Sequence, residues 1–145
     1  MSCELRIIGE NLDVDAFVNK TKMQWYRVWH KGDNRINSKK HTDSGVSIGA
    51  SEADFDNVKL QITETIDFLI KYKENLIHIN STPDIEYAYI DFGVDSIIDE
   101  DHLIQGFFFP PELVKICAEL SIGIELSIYK QDMQIILENR RLNSK

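Results

Sequence analysis

The sequence predicts an α+β fold. It is read as one mixed, largely antiparallel sheet of about six strands with helices mostly on one face. Three observations carry this expectation. Stretches that alternate apolar and polar residues are interleaved with stretches of helical periodicity. Several strand candidates are joined by links too short for a parallel crossover, which favours antiparallel neighbours. A length of 145 residues, 43% hydrophobic and 28% charged, suits a single domain over 1–145 that buries roughly 70% of its extended-chain surface.

Leu5 to Gly9 reads as an opening strand, with Leu5 and Ile7 on one side and Arg6 on the other. Asp13 then caps a short helix whose Val14, Phe17 and Val18 form a stripe at i, i+3, i+4. Trp25 to His30 is a second strand, rich in aromatic and β-branched residues. Lys31 to Ser44 is a polar connection with Ile36 its one large apolar residue, and connections this long mark function or mobility. Val46 to Ala50 is a third strand.

Ser51-Glu52-Ala53-Asp54 matches a capping box, followed at helical spacing by Phe55, Val58, Ile62, Ile66 and Leu69, so a helix is expected from Glu52 to about Lys73. Ser81-Thr82-Pro83-Asp84 is a turn, because the residue before proline avoids the helical region. Ile85 to Val94, apolar on both sides for much of its length, is expected to be a central strand. An acidic loop from Asp95 to His102 leads to a fifth strand at Ile104 to Phe109, stopped by Pro110-Pro111. Leu113, Ile116, Cys117 and Leu120 define the next helix, and Ile122 to Tyr129 alternates as a sixth strand. The tail 131–145 is expected to add a short helix. The resulting order of strands and helices is close in character to a ferredoxin-like sheet.

Composition excludes several classes of function. Sixteen basic against 24 acidic residues leave a formal charge of -8, which phosphate backbones repel; general nucleic-acid binding is not expected. Cys3 and Cys117 form neither a disulfide framework nor a CxxC pair, consistent with a reducing compartment. The start lacks the basic and apolar regions of a signal peptide, and no apolar run is long enough to span a membrane, so a cytoplasmic location is expected.

No catalytic motif is found. His30, His41, His78 and His102 lack the spacing of a zinc site, and Asn11-x-Asp13-x-Asp15 lacks the central glycine and terminal glutamate of a calcium loop. Phosphate-binding glycine patterns and a GxSxG elbow are likewise missing. Neither a metal nor a cofactor is expected.

Three constellations remain. Asp91, Asp95, Asp99, Glu100 and Asp101 could dock a basic protein surface or grip a cation; the plain alternative is a solvated loop. Trp25, Trp29, His30, Lys31 and Arg35 could line a pocket for an anionic ligand, although aromatics on a strand are more often core. Phe107-Phe108-Phe109 could anchor a partner with one exposed ring, or be core on both sides.

Leu5-x-Ile7-x-Gly9-x-Asn11-Leu12-Asp13, Trp29-His30-Lys31-Gly32-Asp33, Ser44-Gly45-Val46-Ser47-Ile48, Gly106-x-Phe108-x-Pro110-Pro111-Glu112-Leu113 and Ile128-Tyr129 occur in that order. In this order and spacing the chain resembles the bacterial domain-of-unknown-function family numbered 4279 over nearly its whole length. It departs from the pattern at Val46, where a tryptophan is expected, and at Ser121, where a helix-ending glycine is usual. The resemblance implies a small bacterial cytoplasmic protein and supplies no catalytic residues. Small acidic bacterial domains often act as immunity proteins, which suggests a non-catalytic binder that covers a basic toxin through the acidic edge around Asp91 to Asp101. The competing expectation is a regulatory domain that recognises a small anionic ligand.

Overall fold

The alternation at the start of the chain places Cys3, Leu5 and Ile7 on one side of a strand and Glu4 and Arg6 on the other, and the rest of the sheet is arranged about it. A computed structural model describes residues 1–130. Its elements are β1 (Cys3–Gly9), α1 (Val14–Thr21), β2 (Arg27–Trp29), β3 (Ser44–Ser51), α2 (Val58–Lys71), α3 (Lys73–Leu76), a 3-10 turn (Ile77–Ser81), β4 (Tyr87–Asp95), α4 (Pro111–Glu119) and β5 (Gly123–Tyr129). The strands form one open sheet in the order β2-β3-β1-β4-β5.

β1 lies between β3 and β4 and is antiparallel to both; β2 is antiparallel to β3, and β4 and β5 are parallel. The first four strands are therefore two interlocked split β-α-β units, each pair of parallel strands admitting an antiparallel one between them. The fold is α+β with a mixed sheet, as expected.

Register puts Val46 and Ala88 beside Ile7, Ile48 and Ile90 beside Leu5, and Phe92 beside Cys3. Helices cover this face. Val14 and Phe17 of α1, Ile62, Ile66 and Leu69 of α2, and Leu113, Ile116 and Cys117 of α4 join it in one buried cluster. Asp13 caps α1 as expected, accepting from Ala16 N at 3.1 Å. Proline at the first position of α4 suits a turn whose N–H groups have no helical acceptor. At the other end of α4, Ile122 N donates to Cys117 O and Ser121 N to Ala118 O, a Schellman closure. Its left-handed position is held by Ser121 at φ 56° where glycine would be unstrained.

Five strands form where about six were expected. The stretch Ile104 to Phe109 is not a strand, because β4 already has β1 and β5 as neighbours and leaves no edge for it. Instead the segment folds back on the end of β4: Gln105 accepts from Ile97 N and donates to Asp95 O. Phe109 alone of its three rings packs inward, 5.3 Å from Phe92.

The long helix starts at Val58 rather than Glu52. Ser51 still pairs in β3, and its hydroxyl binds Glu64 instead of capping, so Asn57 takes that role through Leu60 N. It closes at Lys71, where Tyr72 breaks it before α3. The second strand shortens to three residues, leaving Trp25 buried against Phe17 outside the sheet. The fourth begins at Tyr87 and is interior, but one of its faces is open. The expected tail helix lies outside the described residues.

On the uncovered face, glycines admit rings that stand on the sheet. A Cβ on Gly93 would come within 2.7 Å of Phe55 Cε1 and 2.9 Å of Ser2 O, the latter fixed backbone. Gly93→Ala is therefore expected to destabilise by about 1–3 kcal/mol, and Ile90→Ala, which empties a fully buried site, by about 2–5 kcal/mol. Ile36→Ala, at a fully exposed loop position, should stay within about 0.5 kcal/mol of the parent. Urea unfolding of the three variants checks this order.

Candidate functional site

Two regions are built differently from the rest of the surface. The first is the segment from Ser96 to Pro110 that joins β4 to α4. It is irregular in backbone and rich in exposed apolar side chains: Leu103 is 78% exposed, Ile104 86% and Phe108 77%, with Ile97 and Ile98 about half exposed. Across from it stand Phe55, which precedes α2, and Val58 and Ile62 at its start, and between the two walls lies a hollow of about 800 Å³. Asp56 and Asp95 sit in its lining.

The acidic residues expected to form one partner-binding edge are divided between two places. Asp99, Glu100 and Asp101 are exposed in the turn that follows β4. Asp99 organises this turn by accepting from Asp101 N, His102 N and His102 Nδ1, bonds that hold its carboxyl below the usual carboxylate range. Asp95 ends β4 beside the hollow. Asp91 stands away from them on the uncovered sheet face, where Ser127 Oγ donates to it at 2.7 Å.

The second region is that sheet face. Arg6, Ser47 and Arg27 lie in one row across β1, β3 and β2, since Ser47 pairs with both arginines. Glu4 binds both guanidinium groups, Arg6 at 2.8 Å and Arg27 at 3.2 Å. Burial opposes ionisation of Glu4, but the nearby Ser47 hydroxyl and the two arginines outweigh it and lower its pKa. A hollow of about 550 Å³ opens beside this row under the 31–43 connection. That connection folds into a small hairpin, with Gly32 N donating to His41 O and Arg35 N to Lys39 O.

Of the five residues expected to line an anionic-ligand pocket, Trp29 and Arg35 line this hollow. Trp29 rests on Gly45, stacks 5.6 Å from His41 and donates to Asp43 Oδ1. Trp25 is core, its indole N–H bound to Thr21 Oγ1. His30 turns instead to Asp15 at 2.9 Å, and Lys31 to Glu10 at 2.8 Å. Arg6, Arg27 and Ser47 were not singled out from sequence. The available signal was the polar side of β1 and β3, which names no site until register brings the strands together.

Chemistry is sparse elsewhere. Burial pushes the Cys3 thiol up to about 12 and Cys117 up to about 11, so both are poor nucleophiles. Among the described residues no group of three or more His, Cys, Asp or Glu side chains is arranged to hold a metal ion, and no helix is long and apolar enough to cross a membrane.

Two measurements check these environments. Both thiols are expected to react with a thiol reagent only slowly in the native chain and rapidly after denaturation. His30 gains its raised pKa first from the Asp15 hydrogen bond, with partial burial opposing and Asp33 adding to it. Its pairing should therefore support the fold fully below about pH 6.5 and fade as pH rises through the higher folded-state value. Asp15→Asn should lower the His30 titration midpoint followed by NMR.

A family model described as Domain of unknown function (DUF4279) matches residues 1–131. No curated protein and no solved structure matches the chain.

Proposed function

The chain belongs to that family of unknown function, and from this premise we propose that it is a non-catalytic binding protein which docks a basic protein partner through the 95–108 segment. The partner class is a toxin domain that the chain neutralises by covering it, as an immunity protein does. The observation that carries the reading is the conjunction of exposed apolar side chains with acidic ones on the same irregular segment.

Leu103, Ile104 and Phe108 are placed in water at a cost that a partner's surface would relieve. Asp95, Asp99, Glu100 and Asp101 lie on the same segment and make it predominantly acidic, with Lys59 in the lining of the hollow beside it. An apolar centre within a charged rim is the usual anatomy of a specific interface. The 800 Å³ hollow beside Ile104 and Phe108 gives a partner's anchoring side chain somewhere to go. A net charge of -8 would speed encounter with a basic surface, and many bacterial toxin domains that act on nucleic acid are basic.

Asp91 is outside this surface and is left out of the proposed interface. The inactive thiols fit a protein that binds rather than reacts, and the fold itself is silent on the point.

Two experiments separate the parts of the reading. Co-expression with the product of the neighbouring reading frame should yield a stable complex and protect cells from that product; absence of both would remove the toxin assignment. Ile104→Asp should then weaken the complex roughly tenfold or more without lowering stability, because the residue is exposed. Asp99→Lys with Asp101→Lys should slow association several-fold and flatten its salt dependence. An unchanged salt dependence would place the interface on another surface.

A further inference from the structure

We propose that the uncovered sheet face holds a separate site, for a small ligand bearing a phosphate or carboxylate group. It goes beyond the docking function and does not depend on it.

The first argument is the row made by register. Arg6 on β1 and Arg27 on β2 flank Ser47 on β3, so two guanidinium groups and a hydroxyl converge from three adjacent strands. Strands hold side chains more firmly than loops do, and this row is the floor of the 550 Å³ hollow. Arg35 reaches the same hollow from the hairpin above. Three of the five arginines of a chain with net charge -8 thus meet at one place. A volume of this size suits a small molecule.

The second argument is an unfilled hydrogen-bond requirement. Ser47 is 1% exposed, yet among the described residues its Oγ completes no hydrogen bond. The Glu4 carboxylate is near enough for the hydroxyl to stabilise its charge, but not in hydrogen-bond geometry. A buried hydroxyl without a partner is destabilising; its Oγ is shut off from water at the floor of the hollow, so an oxyanion would accept its proton once the side chains covering it part.

The third argument is the state of the charges. Glu4 occupies Nε and Nη2 of Arg6 and Nη2 of Arg27. Each guanidinium carries five N–H donors in a fork suited to carboxylate and phosphate, so both have donors to spare. Arg35 has no side-chain partner among the described residues. Asp43 and Asp33 also line the hollow, their oxygens turned to the Trp29 indole and to His30 N; these bonds leave their charge in place, so recognition rests on directed guanidinium donors rather than on a net positive charge. Glu4 then serves as a positioning residue, aligning the two arginines while leaving their outer donors available.

The body of the ligand would lie against Ile8, Tyr26 and Trp29, which line the hollow. Phosphate and carboxylate share the recognition chemistry, so the probes must tell them apart.

The test uses the full chain with three probes: inorganic phosphate, adenosine monophosphate and benzoate, each followed by calorimetry and thermal shift. At least one is expected to bind and to raise Tm with its concentration. Preference for the two phosphates over benzoate assigns a phosphate site, and the reverse assigns a carboxylate site. Arg27→Gln and Arg35→Gln should each weaken binding roughly tenfold, the expectation for one lost charge-assisted hydrogen bond. Ser47→Ala should weaken it similarly while leaving the ligand-free Tm unchanged or higher, which a merely structural serine would not do. Should Arg27→Gln fail to fold, Arg35→Gln decides, since its side chain supports nothing else described. No binding by any probe at millimolar concentration overturns the proposal, and so does binding that survives Arg35→Gln and Ser47→Ala undiminished. Ile104→Asp should leave the affinity for these probes unchanged, so failure of this site and failure of the partner interface are distinguishable.

Discussion

The insertion of β1 between β3 and β4 is the constraint on which the rest of the molecule depends. Cys3, Leu5 and Ile7 are each fully buried, and each meets an apolar or small neighbour on both flanking strands. A slip of one residue would turn these three outward and bring Glu4 and Arg6 into the core. Burying two charges, even as the pair they form, would cost on the order of several kcal/mol in desolvation. Register at β1 is thus set by the core, and the register in turn decides what stands on the opposite face.

That opposite face remains polar because no helix is available to cover it. α1, α2 and α4 all pack on the apolar side, leaving Glu4, Arg6, Arg27, Ser47, Asp91 and Ser127 on the other. Most of these groups satisfy one another locally, Glu4 with the arginines and Asp91 with Ser127, whereas the Ser47 hydroxyl completes no hydrogen bond. The molecule consequently has unlike ends. Arginines gather toward β2 and its hairpin, whereas Asp95 and the turn after it give the far end of β4 an acidic and apolar character. An even surface would offer no reason to distinguish two binding regions; this one does.

Much of the fold was legible because alternation and helical periodicity are local properties. Leu5 to Gly9, Val46 to Ala50 and Ile122 to Tyr129 all lie in or overlap strands, and Asp13 caps α1 as read. The errors arose where a tertiary fact reversed a local one. Ile104 to Phe109 looked like a strand because apolar residues in a row are usually buried, yet Ile104 and Phe108 stand in water. Ser51 looked like a cap because nothing local says that β3 continues through it. At the sites the limit is geometric: Arg6, Ser47 and Arg27 are far apart in the chain, and only pairing across three strands brings them together. Trp29 and Arg35 were visible as candidates, but their separation from Trp25, His30 and Lys31 follows from the shortness of β2 and from the carboxylates of Asp15 and Glu10.

The central placement of β1 also bears on how the chain acquires its shape during synthesis. β1 leaves the ribosome ahead of both its neighbours, and its second edge stays unmatched until Asp95 has emerged. A strand waiting that long with a sticky backbone edge and three oily side chains is vulnerable to the wrong companion. Local pieces such as the crossover from β4 through α4 to β5 can assemble from nearby residues, but the middle of the sheet cannot. Closure of such distant pairings is slow relative to helix formation. β1, made before either neighbour, is therefore among the last to be enclosed, and nascent chains interrupted before residue 95 should be the form that most needs a chaperone.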